Sequence, residues 1–313
     1  MRKALRIIFM GTPDFAVPSL RALLAGPDTI LAAVCQPDRE QGRGKKIESP
    51  PVKHLAAEHA LLTLQPTSLR DPQFLTRLID LKPDLFVVVA YGKILPPAIL
   101  QLAPQGAINV HGSLLPKYRG AAPIQWALIN GEKETGITIM QLDEGMDTGP
   151  MLHKVREPIQ KDDTAGTLFR RLAHIGGHAL IEALAKLEEG ELVPQAQNPT
   201  LASYAPMLTK AQGHINWSEE VEALQCLIRG LDPWPSAYGF VEGVRYRFFS
   251  PEVSGYRCSQ KPGTICRIDQ NGLLIAAADG MLIIREIQVE GKKRMSVADC
   301  FHGLALRSGM VLS

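Results

Sequence analysis

Leu85-Phe86-Val87-Val88-Val89-Ala90 is the stretch that decides the fold. Three consecutive Val between apolar neighbours are typical of a strand buried on both faces, as in a parallel sheet covered by helices. Working outward, Pro72–Leu81 has helical spacing, and Pro51–Ala60 is a second helical stretch, with Leu61–Leu64 between them. Upstream lie an apolar run, Leu5–Met10, a helix over Phe15–Leu24 and a strand over Thr29–Cys35. Downstream come a short strand, Ala107–Val110, and a helix over Ala122–Ile129. The alternating order predicts a doubly wound, mostly parallel sheet of Rossmann-like α/β type. Strands over Thr135–Gln141 and Met151–Pro158 follow, then a long helix over Thr164–Glu189, ended by Gly190.

Composition shifts after that helix. Leu192–Ser203 has two Pro, two Gln and little periodicity, and reads as a linker. A helix over Glu219–Gly230 follows. Beyond Pro235 the chain turns β-like, with Asn271-Gly272 and Asp279-Gly280 as hairpin signals around Leu273–Ala277. Short strands at this spacing predict a small barrel. The expected organisation is a domain over 1–190, a linker over 191–208 and a second domain over 209–313.

The 313 residues carry 34 Lys+Arg against 32 Asp+Glu, which excludes a surface that is a polycation throughout but leaves room for a local basic site. The longest apolar run, Leu85–Tyr91, is far short of the ~20 residues of a membrane helix. Arg6 interrupts the N-terminal apolar stretch, so no export signal is expected. The five Cys are scattered with no CxxC, predicting reduced thiols in a cytoplasmic protein without a zinc site.

Four segments could carry chemistry. Gly11-Thr12-Pro13-Asp14-Phe15 follows the first strand, where it is either a plain tight turn or a ligand turn. It lacks GxGxxG, which argues against a nicotinamide oxidoreductase. Arg39–Lys46 holds four cations and two Gly, and reads as a flexible loop able to meet phosphates. Asn109 and His111 fall on one face at the end of a strand, the edge where open parallel sheets bind ligands. An amide donor beside an imidazole suits acyl-type transfer, although a hydrogen-bonded strand end explains the pair equally well. Asp147 sits in a Gly-rich acidic loop, Asp143–Gly149, which is either solvent-exposed or a source of a carboxylate that orients an imidazole. Four His on predicted helices (54, 59, 174 and 178) show no metal pattern, and Trp217 and Trp234 are expected in the core of the second domain.

The run Asn109-Val110-His111-Gly112-Ser113-Leu114-Leu115-Pro116-Lys117-Tyr118-Arg119-Gly120-Ala121-Ala122-Pro123-Ile124-Gln125 closely resembles the 10-formyltetrahydrofolate-dependent formyltransferases. So do Phe9–Ala16, Gln36-Pro37-Asp38-Arg39, Gly42-Arg43-Gly44-Lys45-Lys46 and Asp147-Thr148-Gly149. The resemblance spans essentially the whole chain. It implies that Asn109, His111 and Asp147 are the catalytic trio and that Ser113, Leu114, Leu115 and Pro116 bind folate. It also implies that Arg43, Lys45 and Lys46 enter a tRNA acceptor stem and that the second domain is OB-like. The implied reaction moves the formyl group of 10-formyltetrahydrofolate, with no metal, onto the α-amino group of initiator methionyl-tRNA, in a protein expected to be a monomer off the membrane. A nucleotide-linked amino sugar or another small amine is the alternative acceptor, and such an acceptor does not require the basic loop. Asp232-Pro233-Trp234-Pro235 and Lys210–Trp217 depart from the family pattern, the first by an Asp in place of the usual Asn.

Overall fold

The computed structural model describes residues 4–41, 46–256 and 259–313. The chain divides into two compact units. The first comprises Met1–Pro123, Glu134–Pro158 and Phe169–Ala205, and the second Ile124–Lys133, Ile159–Leu168 and Pro206–Ser313.

Seven strands form the sheet of the first unit: β1 (Arg6–Gly11), β2 (Thr29–Val34), β3 (Thr63–Leu64), β4 (Leu85–Val89), β5 (Ala107–His111), β6 (Glu134–Gln141) and β7 (Met151–Pro158). Their order across the sheet is β7-β6-β5-β4-β1-β2-β3. The five strands from β3 to β5 pair in parallel, and β6 and β7 add an antiparallel edge. The sheet is thus the mixed, mostly parallel Rossmann-like type expected. β4 lies between β1 and β5 with all five residues buried. Alternation along the strands sends Ile8, Met10, Phe86 and Val88 into one cluster with Phe74, Leu78 and Ile99. Fully burying side chains of this size is worth about 1.5–3 kcal/mol each, which is why a run of β-branched residues holds the centre of the sheet.

The helices start and stop for local reasons. Pro72–Leu81 has Pro at its first position, Asp71 accepting from the Gln73 N–H at 3.0 Å, and Lys82 left-handed (φ +48°) at its end. At the end of β1, Gly11 is required. A Cβ there would stand 2.7 Å from the Ala16 Cβ and 2.9 Å from the Val89 carbonyl, so only Gly lets the turn lie against β4.

The second unit is built on an antiparallel sheet: β8 (Ala237–Val241), β9 (Val244–Val253), β10 (Ile265–Asp269), β11 (Gly272–Ala276), β12 (Met281–Val289) and β13 (Met295–Ser296). The order is β8-β9-β12-β11-β10, with β13 on β12. Among the described residues these strands form an open ladder and not the closed barrel predicted. The last residues of the chain lie against both ends of it. Ser313 exchanges two hydrogen bonds with Phe240, while Leu312 N–H donates to Gly263 and Met310 accepts from Ile265 N–H.

Trp217 is buried against Phe248, with ring centroids 5.5 Å apart. Trp234 is not in the core as expected; it is 51% exposed. Its Asp-Pro-Trp-Pro turn is anchored through its first residue. The Asp232 carboxylate receives Arg294 Nη1 at 3.1 Å, and Arg294 also donates to Glu286 at 2.6 Å while its guanidinium stacks 4.0 Å over Phe249. Burial pushes the Asp232 carboxyl above its usual range and Arg294 opposes it. No helix among the described residues is long and apolar enough to cross a membrane.

Candidate active site

β5 ends at His111, and its ladder with β6 sets Asn109 opposite Met140 and His111 opposite Thr138. Asn109 and His111 therefore share a face, and both are buried, at 9% and 5% exposure. Beside them the turn after β1 is tied across the sheet. The Tyr91 carbonyl accepts from Thr12 Oγ1 (3.2 Å) and Gln36 Nε2 (3.2 Å), which links the ends of β1, β2 and β4.

His111 Nε2 lies 2.9 Å from the Tyr118 carbonyl oxygen. A carbonyl only accepts, so Nε2 carries the proton. The other nitrogen, Nδ1, is 3.6 Å from Asp147 Oδ2, and the two side chains are only 5% and 14% exposed. Asp147 is left-handed (φ +54°), a conformation that Asp tolerates better than most residues. Its carboxylate is aimed by the Gly120 N–H, which donates to Oδ2 at 2.8 Å.

The loop holding Asp147 is fixed on both sides. Asp143 Oδ1 accepts from Gly145 N–H and Thr148 Oγ1. Gln197 Nε2 donates to the carbonyls of Asp147 and Gly149, both at 2.8 Å, while Gln197 Oε1 accepts from the Arg119 guanidinium. The facing segment, Ser113–Gly120, is equally constrained. Thr138 Oγ1 donates to Ser113 O (2.7 Å) and accepts from Leu115 N–H (3.1 Å), and Lys154 Nζ donates to Leu115 O (2.6 Å). Desolvation, with Arg156 nearby, lowers the Lys154 pKa. Tyr204–Ala205 then pairs in parallel with Arg119–Gly120. Gly120 has φ +115°, and a Cβ there would lie 2.8 Å from the Ala205 carbonyl. Ser113 and Leu115 are buried, whereas Leu114 and Pro116 are partly exposed.

Gln197, Thr138, Lys154 and Ser203, whose Oγ accepts from the Tyr118 N–H at 2.9 Å, hold this site together, and sequence reasoning misses all four. Gln197 and Ser203 lie in the aperiodic stretch read as a linker. Thr138 alone leaves a trace, as a polar residue between Ile137 and Ile139 in a strand that buries six residues in a row. Of the basic stretch, Arg43 and Lys45 lie outside the described residues. Lys46 opens a strand, Lys46–Glu48, that pairs antiparallel with Arg39–Gln41, so the described parts of the expected loop form a hairpin. An open cavity of about 580 Å³ lies beside Leu69, Arg70, Lys93, Ile94 and Leu95, with Glu144 of the Asp147 loop also lining it. It combines apolar wall with two cations. Among the described residues no cluster of His, Cys, Asp and Glu could hold a metal.

An imidazole whose free nitrogen faces a carboxylate, on the same strand face as an amide, can move a proton beside a carbonyl that gains negative charge. The "Formyl transferase" family model matches residues 5–184 and "Formyl transferase, C-terminal domain" matches residues 207–305. The methionyl-tRNA formyltransferase of Desulfotalea psychrophila is 56% identical over 99% of this chain and 96% of its own length. That of Caldanaerobacter subterraneus subsp. tengcongensis is 47% identical over 98% of this chain and 100% of its own. Among solved structures, an N-formyltransferase from Helicobacter canadensis, in complex with folinic acid and dTDP-3-aminofucose, superposes with a TM-score of 0.66 at 18% identity, covering 94% of this chain and all of that one. HypX from Aquifex aeolicus in complex with tetrahydrofolic acid superposes with a TM-score of 0.62 at 17% identity, over 96% of this chain but 47% of that one. These structures share the fold.

Proposed function

The chain belongs to the formyl transferase family, and from that premise we propose that it transfers the formyl group of 10-formyltetrahydrofolate to the α-amino group of initiator methionyl-tRNA. The observation that carries the acceptor is the full-length similarity to methionyl-tRNA formyltransferases, at 56% identity. The cavity, which Glu144 joins to the Asp147 loop and which none of Ser113–Pro116 lines, suits the outer part of the donor: Leu69, Ile94 and Leu95 offer apolar wall, and Arg70 and Lys93 suit carboxylates. The donor supplies a formyl group already activated on nitrogen, so the protein needs no metal for this step.

The roles then follow from the atoms. The attacking amine must be neutral, and α-amino groups have pKa values of about 8. His111 takes the amine proton at Nδ1, because Nε2 is committed to the Tyr118 carbonyl. Asp147 lies beside Nδ1 and steadies the charged ring. Asn109 donates to the formyl oxygen as it gains charge. A C–N bond forms to the amine, the bond from the formyl carbon to the donor nitrogen breaks, and His111 returns the proton to that leaving nitrogen. Ser113, Leu114, Leu115 and Pro116 shape the folate side, with Leu114 and Pro116 the more accessible pair.

Arg43, Lys45 and Lys46 are read as the phosphate contacts of the acceptor stem. The second unit is read as OB-like, which its antiparallel strand order and the contacts of its last residues with both ends of the sheet support. The proposed working division is catalysis in 1–190, a connection in 191–208 whose Gln197 and Ser203 also brace the catalytic segment, and tRNA contact in 209–313, in a cytoplasmic monomer. The test offers purified protein 10-formyltetrahydrofolate with methionyl-tRNA, dTDP-linked amino sugars or glycinamide ribonucleotide. Formyl transfer to methionyl-tRNA alone is expected, and transfer only to a small amine would replace this reading.

A further inference from the structure

Two short paired strands present Arg39 and Lys46. Each paired strand is three residues long, in register Arg39↔Glu48, Glu40↔Ile47 and Gln41↔Lys46. Arg39, Glu40 and Lys46–Glu48 are exposed, Ile47 to 74%. A two-stranded pairing this short is marginal in water, and its described side chains are exposed, so what lies at its neck matters for its placement.

One carboxylate occupies that neck. Asp38 directly precedes the first strand and Ser49 directly follows the second. Asp38 Oδ2 accepts from Ser49 Oγ at 3.0 Å, both carboxylate oxygens accept from Lys53 Nζ at 2.9 and 2.8 Å, and Oδ1 accepts from Gln65 Nε2 at 2.7 Å. Lys53 belongs to the helix Pro51–Glu58, and Gln65 follows β3 at the sheet edge. Gln65 Nε2 also donates to the Gln36 carbonyl, and the Gln36 amide reaches the Tyr91 carbonyl. The hairpin is thereby tied to the carboxyl ends of β2 and β4. The Gln65 hydrogen bond first, and then that of Lys53, hold the Asp38 carboxyl down at about 2, so the node is charged wherever the enzyme works.

We propose that Asp38 is a positioning residue for acceptor binding: it clamps both ends of the basic hairpin so that Arg39 and Lys46 are presented to the phosphates of the acceptor, and it takes no part in the chemistry. The inference rests on the polyanionic acceptor argued above. It makes a prediction of opposite sign to simple electrostatics. A carboxylate below a basic hairpin repels phosphate, so on charge alone its removal should tighten acceptor binding. If it is a clamp, its removal must weaken binding.

The experiment compares full-length wild type with Asp38→Asn, which is nearly isosteric. Native trypsin cleavage within residues 39–46 should be several-fold faster in the variant, with the melting temperature little changed; unaltered cleavage overturns the clamp whatever the activity. In steady-state assays the KM for methionyl-tRNA should rise about tenfold, with kcat and the folate KM within about twofold, a difference near 1.4 kcal/mol in acceptor binding. A lower tRNA KM, or equal losses in kcat and both KM values, overturns it too. Gln65→Ala removes its hydrogen bonds to Asp38 and to the Gln36 carbonyl but keeps the Lys53 ion pair, and should move both readouts the same way by less, which covers the case in which Asp38→Asn does not fold. If wild type formylates no tRNA while cleavage still responds, the acceptor reading fails and the clamp itself stands.

Discussion

In the proposed mechanism the Tyr118 oxygen, 2.9 Å from His111 Nε2, decides which nitrogen of the ring works. Only Nδ1 is left to exchange protons, and it faces Asp147. Replacing His111 by Ala should leave the melting temperature within a few degrees and lower kcat by about 10²–10⁴, the usual contribution of a positioned acid–base group. Near-normal turnover would remove His111 from the mechanism. Asp147→Asn is a cleaner probe than most substitutions of its kind. Asn accepts the left-handed backbone (φ +54°) and can still receive the Gly120 N–H, so the variant removes charge alone. A loss of kcat without loss of stability is expected; equal activity would show that the carboxylate charge is dispensable. The spacing of Asn109 and His111 is readable from sequence because strand alternation is a local rule. The approach of Asp147 is not, because it depends on two antiparallel strands folding back and on Gln197, which no periodicity marks.

At the scale of elements, the segment Ser113–Gly120 is held by groups from four other places in the chain. Gly120 lies close against the backbone of Ala205. Gly120→Ala would combine a φ of +115° with a Cβ 2.8 Å from the Ala205 carbonyl. It should destabilise the first unit by about 1–3 kcal/mol and lower kcat by misaiming Asp147, measured by denaturant midpoint and turnover. Elements with strong local signals are read accurately: Pro72–Leu81 and Met151–Pro158 have the bounds that their sequence predicts. The hairpin at Arg39–Gln41 and Lys46–Glu48 is hidden, since cations and Gly resemble a loop and no buried face alternates. Trp234 misleads for the opposite reason. A large aromatic usually marks a core, but here two prolines and the Asp232–Arg294 pair fix a turn that leaves the ring outside.

Across the whole molecule, the near balance of 34 basic and 32 acidic residues means that phosphate recognition depends on placement and not on excess charge. Salt should therefore weaken acceptor binding with a shallow slope set by a few contacts, and substituting Arg43 and Lys45 together should flatten it further. An unchanged slope would count against contact by that stretch. The antiparallel character of the second unit is legible in its turn signals. The contacts of its last residues are not, because those residues bond to positions 44–73 places away that share no pattern with them. Deleting residues 309–313 removes these hydrogen bonds and the buried Leu312 side chain, and should destabilise the second unit by about 3–5 kcal/mol, visible as an earlier calorimetric transition.

Both the N–H and the C=O of Ser313 are engaged with Phe240. Anyone attaching a dye or fluorescent reporter at Ser313 is grafting onto a structural edge, so a run of glycines and serines must come first if the graft is to leave that pairing undisturbed.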